Sequence, residues 1–265
     1  MNPIPEFGSA ASPLRASSLP MLLRCPLRQA LLHLGDIQDE SGPAADTGNL
    51  THSAIDFWHK NKKDTVGALE YLRSCTDKFP KGDPDDAEKY AVPYFNDPRN
   101  QEAEIVACEL PVSFKIEEAV DDPYGPIYVR GTLDQIRKNN LDGKLYLWDV
   151  KTGSKYTGWE LLHVYAVQQA AYVLAACETL DTPVYPGGII RPYGYRVRGV
   201  SGNSPDGVFW HHAWDIADCH LLLADVRNRV YDIRRGKANA VAGEQCNWCP
   251  AGGLQGCLPL LKNKG

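Results

Sequence analysis

No apolar run in this chain is long enough to cross a membrane. The longest, around Ala170 to Cys177, falls far short of the ~20 residues a spanning helix needs. A charged-then-apolar segment ending at a small-residue cleavage site is also missing, which points to a cytoplasmic protein whose thiols stay reduced. There is no internal repeat and no low-complexity segment, so repeat architectures and wholesale disorder are excluded. Positive charge is scarce as well: the net charge is -5, and this weighs against a nucleic-acid partner, because neutralising phosphates supplies most sequence-independent affinity. Distribution qualifies the total. Acidic residues crowd into Asp36 to Asp46, Asp83 to Glu88 and Glu117 to Asp122, while basic ones collect at Arg191, Arg196 and Arg198 and from Arg227 to Lys237. Arg191, Arg196 and Lys155 are the candidates for phosphate contacts.

What is present is ordinary for a folded protein: 43% hydrophobic and 23% charged residues over a length of 265, enough for one substantial core. Residues 1–13 are expected to be a tag or disordered tail, since Met1 to Ser9 has no periodicity and its Glu-Phe-Gly-Ser end reads like an expression-vector remnant. Residues 14–265 read as a single domain.

Ser17, Ser18 and Pro20 announce a helix, and Pro26 directly after Cys25 forces a restart before Leu27 to Leu34. Gly35 to Gly48 reads as a loop, with a helix beyond it carrying Leu50, Ala54, Phe57 and Trp58 and with His52 near its start. Lys78 to Arg99, dense in Pro, Asp and Lys, reads as a long surface loop with one short helix. Ile105 to Phe114, Ile127 to Arg137 and Lys144 to Lys151 are rich in β-branched and aromatic residues and read as consecutive strands, mostly antiparallel, with a hairpin at Asn140 to Lys144. A helix over Trp159 to Leu180, strands near Gly188 to Val200 and Val208 to Ala213, and a helix over Ile216 to Arg235 complete an α/β pattern: a central mixed sheet flanked by helices.

In Leu145-Tyr146-Leu147-Trp148-Asp149-Val150-Lys151 the side chains alternate faces, so Asp149 and Lys151 point one way and Trp148 and Val150 the other. The preceding strand carries Asp134, and a hairpin would set it beside Asp149. Two close carboxylates repel, and a divalent cation between them makes the arrangement tolerable. Lys151 would then orient or deprotonate a water and offset charge on a phosphate. An isolated Asp-Val-Lys is more often a plain surface pair. Glu109, one strand earlier, is either a further carboxylate of this group or an exposed edge residue.

Without a secretory signal, the eight cysteines favour a metal centre over disulfides. Cys246 and Cys249 form a Cys-x-x-Cys knuckle, Cys257 follows Pro250 and three glycines, and Cys25 is the fourth candidate. Cys75, Cys108, Cys177 and Cys219 sit in apolar contexts and read as buried thiols. On spacing alone, zinc is the commoner occupant of four thiolates, ahead of an iron-sulfur cluster.

Gly131-Thr132-Leu133-Asp134, then Trp148-Asp149-Val150-Lys151-Thr152-Gly153, then Gln168-x-x-x-Tyr172, in this order and spacing, closely resemble the signature of RecB-type nucleases of the PD-(D/E)XK class. The resemblance implies a restriction-endonuclease-like core and an active site of two acids and a lysine: Asp134, Asp149 and Lys151, with Gln168 and Tyr172 nearby and Gln169 as a rival to Gln168. Gly48-Asn49-Leu50-Thr51-His52 matches the family's Gly-x-x-x-His, which makes His52 a metal ligand beside Asp134, Asp149 and the carbonyl of Val150. Mg²⁺ or Mn²⁺ would be held there, and the imidazole favours Mn²⁺. Iron-sulfur members, including the CRISPR-associated exonucleases, place one cysteine before the core and three at the C-terminus. Here that implies a [4Fe-4S] cluster on Cys25, Cys246, Cys249 and Cys257, with structural Zn²⁺ as the alternative and residues 14–34 and 240–265 as the cluster-binding part. The gap between Cys249 and Cys257 is slightly longer than the group's pattern.

The function expected is a metal-dependent DNA exonuclease acting on single-stranded ends. The alternative is a non-catalytic DNA-end-binding subunit of a recombination, repair or CRISPR complex, or of a homo-oligomer; the intact Asp134, Asp149 and Lys151 speak against it. A zinc-ribbon regulator would require the cysteines to pair locally.

Overall fold

The computed structural model describes residues 1–38, 42–116, 123–152, 158–192, 208–212 and 214–251. A two-residue strand, β1 (Leu14–Arg15), leads into two short helices, α1 (Leu19–Arg24) and α2 (Pro26–Leu34). Each helix takes its preset φ from a proline in its first turn. Cys25 stands between them at φ −151° and ψ 87°, outside helical space, as the Cys-Pro junction implies.

Four helices follow: α3 (Pro43–Lys60), α4 (Thr65–Ser74), α5 (Pro84–Asn96) and α6 (Pro98–Gln101). Two expectations change here. Helix α3 begins at Pro43, inside the stretch read as a loop, so His52 lies mid-helix rather than near its start. Gly48 falls within this helix, at a point where a Cβ would crowd Thr152 Oγ1 at 3.2 Å. The Lys78 to Arg99 segment, read as mostly loop, is largely helical. Asp83 caps α5 by accepting from the N–H groups of Asp85 and Asp86, and Ala87, Ala91, Tyr94 and Phe95 bury its inner face.

Strands β2 (Glu104–Ile116), β3 (Ile127–Lys138) and β4 (Leu145–Val150) are antiparallel neighbours. Helix α7 (Gly158–Leu180) crosses over to β5 (Val184–Arg191), which lies parallel to β4. Strand β6 (Val208–His211) then pairs antiparallel with β5, and α8 (Ile216–Arg234) closes the order. With β1 parallel to the start of β3, the result is the expected α/β arrangement, a mixed sheet flanked by helices.

Strand alternation divides the core in two. Leu147 joins a cluster built with α1, α2, α7 and α8. Trp148 and Val150 join another with Trp58, Tyr94 and Phe95 from α3 and α5. The opening segment, expected to stand outside the fold, packs on the first cluster. Ile4 and Phe7 are buried, the Ile4 N–H donates to the Arg234 carbonyl at 3.1 Å, and the Tyr128 N–H donates to the Gly8 carbonyl at 2.8 Å. Arg234, counted above in a basic cluster, is fully buried. Its guanidinium donates to the carbonyls of Phe7, Gly125 and Pro126 at 2.7 to 3.2 Å, where it satisfies backbone acceptors that would otherwise be stranded.

Candidate metal and active site

The site grows from an irregularity shared by two strands. In β3, Leu133 and Ile136 both face the first core cluster although they are three residues apart, which a period of two forbids. Their partners across the ladder, Leu110 and Ala107, pack on the same cluster. Both strands therefore slip phase at one level, and the residues released by the slip are Cys108 and Glu109 on β2 and Asp134 and Gln135 on β3. Glu109 carries the mark of it: its φ is +48°, a left-handed value rare for a side chain with a Cβ.

Helix α3 lays His52 against this break. Its Nδ1 lies 3.1 Å from Glu109 Oε1 and 3.7 Å from Asp134 Oδ1. One donor atom from each of His52, Glu109 and Asp134 falls within 4.8 Å of the others. Asp134 Oδ2 accepts the Val150 N–H at 2.6 Å, which fastens the carboxylate to β4. Asp149, expected beside Asp134 as a ligand, is 1% exposed and ion-paired to Lys151, with Nζ 2.6 Å from Oδ2. Its Oδ1 is buried with no hydrogen-bond partner among the described residues. The Lys151 ammonium also lies 4.6 Å from the ring centre of Tyr165, a favourable place for a cation.

Gln168 and Tyr172, four apart on α7, both line the cleft above these groups, a space of about 820 Å³. Gln169 does not line it, and its amide is buried without a partner among the described residues. Tyr172 also explains the first glycine of the Gly-Thr-Leu-Asp stretch: a Cβ on Gly131 would come within 2.7 Å of Tyr172 Cε1.

The electrostatics are those of crowded acids and bases out of water. Burial pushes the His52 imidazole down, but Asp134 and Glu109 outweigh it and lift its pKa to about 9. Burial lifts Asp149 to about 6 against the pull of Lys151, and Asp134 adds to the rise. Asp134 is likewise raised, by burial first. Lys151 is raised although burial opposes it, because Asp149 and Asp134 favour its charge. An imidazole nitrogen and two converging carboxylates, from His52, Glu109 and Asp134, form a donor set that fits a divalent cation such as Mn²⁺ or Mg²⁺.

Glu109, left open between two roles by the sequence, thus converges with His52 and Asp134. Asp56, one turn beyond His52, also lines the cleft and faces Cys108; its spacing of four from His52 was the available signal. The phosphate-contact candidates fare differently. Arg191 is only 2% exposed, so it is not part of a basic surface, and Lys155 and Arg196 lie outside the described residues, as does Arg198.

Among the cysteines, Cys25 is buried at the α1–α2 junction, and Cys246 and Cys249 are half-buried near a 3-10 turn, Glu244–Trp248. All three are free thiols. They do not converge as His52, Glu109 and Asp134 do, and Cys257 lies outside the described residues, so no four-cysteine group stands among the described residues. Of the thiols read as buried, Cys75 and Cys219 are, whereas Cys108 and Cys177 are half-buried.

A family model described as the PD-(D/E)XK nuclease superfamily matches residues 13–253. No curated protein matches the chain. A solved structure titled "Crystal structure of SSO0001" is similar over 85% of this chain and 91% of that one, at 16% identity and a TM-score of 0.35.

Proposed function

The chain belongs to the PD-(D/E)XK nuclease superfamily, and from that premise we propose that it is a divalent-metal-dependent deoxyribonuclease of the RecB type, acting as an exonuclease on single-stranded ends. The observation that carries the metal dependence is the convergence of His52, Glu109 and Asp134 within 4.8 Å beside the buried Asp149–Lys151 pair. His52, Glu109, Asp134, Asp149 and the Val150 carbonyl are the candidate ligands. A bound Mn²⁺ or Mg²⁺ would offset their negative charge and lower the pKa of a coordinated water.

The protein's own groups perform the rest. Asp134, held by the Val150 N–H, and His52, held between two carboxylates, are fixed before any substrate arrives, which saves reorganisation. Lys151, anchored by Asp149 and the Tyr165 ring, presents an ammonium to a phosphate whose charge grows in the transition state, and it orients the attacking water. Gln168 and Tyr172 form the wall across the cleft and position the substrate backbone. Incubating the purified protein with end-labelled single- and double-stranded DNA, with Mn²⁺ and with chelator, tests the reading. Progressive Mn²⁺-dependent shortening of the single strand supports it, and internal cuts or indifference to metal contradict the exonuclease or the metal part respectively.

A thiolate centre on Cys25, Cys246, Cys249 and Cys257, of the [4Fe-4S] type, belongs to the same proposal. Its support in the fold is a hydrogen bond from the Leu27 N–H to the Asn239 carbonyl at 3.2 Å, which ties the turn after Cys25 to the segment leading to Cys246. Iron and sulfide analysis of anaerobically purified protein tests it, with stoichiometric zinc as the contrary result.

A further inference from the structure

Two arginines on the floor of the cleft stand where physical chemistry disfavours them. In the parallel ladder between β1 and β3, Arg15 is the register partner of Arg130. Both are exposed, both line the cleft that holds His52, Glu109 and Asp134, and neither guanidinium has an ion pair or hydrogen bond among the described residues. Like charges set directly opposite one another in a sheet destabilise it. Two other surface arginines are matched: Arg73 pairs with Asp85 and Glu88, and Arg99 with Asp97. An unmatched pair sharing one cleft with a cluster of acids is what an anionic ligand would neutralise.

The spacing says which part of a ligand. Arg130 lies four residues along β3 from Asp134, about 13 Å at the rise of an extended strand. Thr132, also lining the cleft, lies between them. That spacing sets the arginines beside the metal group rather than within it, so a different phosphate on the same strand lies within their reach. Two guanidinium forks side by side suit the oxygens of a single phosphate. Across the cleft, Tyr71 and Phe79 offer aromatic surface of the kind on which unpaired bases stack.

We propose that Arg15 and Arg130 form a distal phosphate clamp that holds the single-stranded substrate one or more nucleotides away from the scissile bond. This rests on the nuclease reading of the adjoining site and deepens it: the substrate is a polynucleotide that must extend across the cleft, not a mononucleotide ester. The clamp also answers the acidic net charge of the chain, because affinity comes from a local pair of cations rather than from overall charge.

The test is binding of a fluorescently labelled single-stranded oligonucleotide by anisotropy across a salt series, with divalent metal withheld so that nothing is cut. Wild type is compared with the double variants R15Q/R130Q and R15K/R130K. Both positions are exposed, so circular dichroism should match wild type, and the melting temperature of R15Q/R130Q should be no lower, since the opposed charges are gone. The clamp predicts at least tenfold weaker binding by R15Q/R130Q and a log-log salt slope shallower by about 0.7, the loss of one single-strand phosphate contact. Partial recovery by R15K/R130K is expected, because charge is restored without the fork. Unchanged affinity and slope in R15Q/R130Q, with Mn²⁺-dependent cleavage by the wild type intact, would overturn the clamp and leave the nuclease standing. A wild type that binds but never cleaves, and loses its binding in R15Q/R130Q, would keep the clamp and overturn the nuclease.

Discussion

Glu109 combines a strained backbone with a place at the candidate metal group, and the two belong together. In register it stands opposite Asp134, at the level where β2 and β3 both slip phase, and the left-handed φ of +48° turns its carboxylate toward His52. Replacement by Gln keeps the shape and removes the charge. Glu109→Gln should weaken Mn²⁺ binding roughly 10- to 100-fold with little change in melting temperature, as isothermal titration would show. An unaltered Mn²⁺ affinity would place Glu109 outside the ligand set. The sequence left Glu109 undecided for a physical reason: alternation assigns faces only where strands are regular, and Glu109 sits where regularity fails. Asp149 and Lys151 were legible because β4 keeps its period, with Trp148 and Val150 buried on the far side.

A second residue-scale consequence concerns His59. The Tyr94 hydroxyl accepts from Gln135 Nε2 at 2.6 Å and from an Arg137 nitrogen at 3.0 Å, so its one proton is free to reach His59 Nε2 at 2.7 Å. That bond needs an unprotonated nitrogen. Burial, with Arg137 and Lys63 nearby, pushes the His59 pKa down to about 3. A depressed histidine contributes stability that is present above its unfolded value, near 6.5, and is lost as pH falls toward 3. Between pH 7.5 and pH 5 the loss from this group should be about 1 to 2 kcal/mol. Urea midpoints of wild type and His59→Gln at the two pH values measure it; parallel losses in both proteins would clear His59 of the effect.

At the scale of elements, α5 is where reading the sequence and folding the chain diverged most. Its Pro and Asp content suggested a loop, yet Asp83 is a cap, Pro84 opens the first turn, and Pro93 is accommodated inside the helix. Composition alone did not separate residues that start a helix from residues that prevent one. The apolar set Ala87, Ala91, Tyr94 and Phe95 was the available signal, since its members recur at helical spacing. This helix matters to the site because Tyr94 holds Gln135, the neighbour of Asp134, and so braces the slipped part of β3. Tyr94→Phe keeps the ring, strands the Gln135 Nε2 donor and removes the donor to His59 Nε2, while Arg137 keeps Asn100 and Gln135 as acceptors. It should cost about 2 kcal/mol, read from chemical denaturation, and a change within a few tenths of a kcal/mol would show that the hydroxyl hub is not structural.

For the whole molecule, the mixed sheet and the order of elements from β2 onward followed from hydrophobic period and turn chemistry, whereas β1 and α4 did not. The long-range closure did not, because nothing local in Met1 to Ser9 reports that Ile4 and Phe7 are buried or that Arg234 reaches back to the Phe7 carbonyl. Removing residues 1–9 exposes apolar core and strands Arg234 Nε, while its other nitrogens keep the Gly125 and Pro126 carbonyls. It should lower stability by about 3 to 5 kcal/mol, from two large buried side chains and a partly unsatisfied buried cation. An unchanged melting temperature after the deletion would show that the segment only rests on the surface.

The central claim is that acids and an imidazole drawn from α3, β2 and β3 hold a divalent cation for phosphodiester hydrolysis beside the Asp149–Lys151 pair. Single-turnover cleavage of an end-labelled single-stranded oligonucleotide, followed across a Mn²⁺ titration for wild type and Asp134→Asn, tests it most directly. The account predicts saturable, Mn²⁺-dependent cleavage by the wild type and, for Asp134→Asn, a rate lower by roughly 10³-fold or more at every Mn²⁺ concentration, on the scale of losing a preorganised charge from an active site. Wild-type cleavage that persists in chelator, or Asp134→Asn cutting at the wild-type rate, would contradict it.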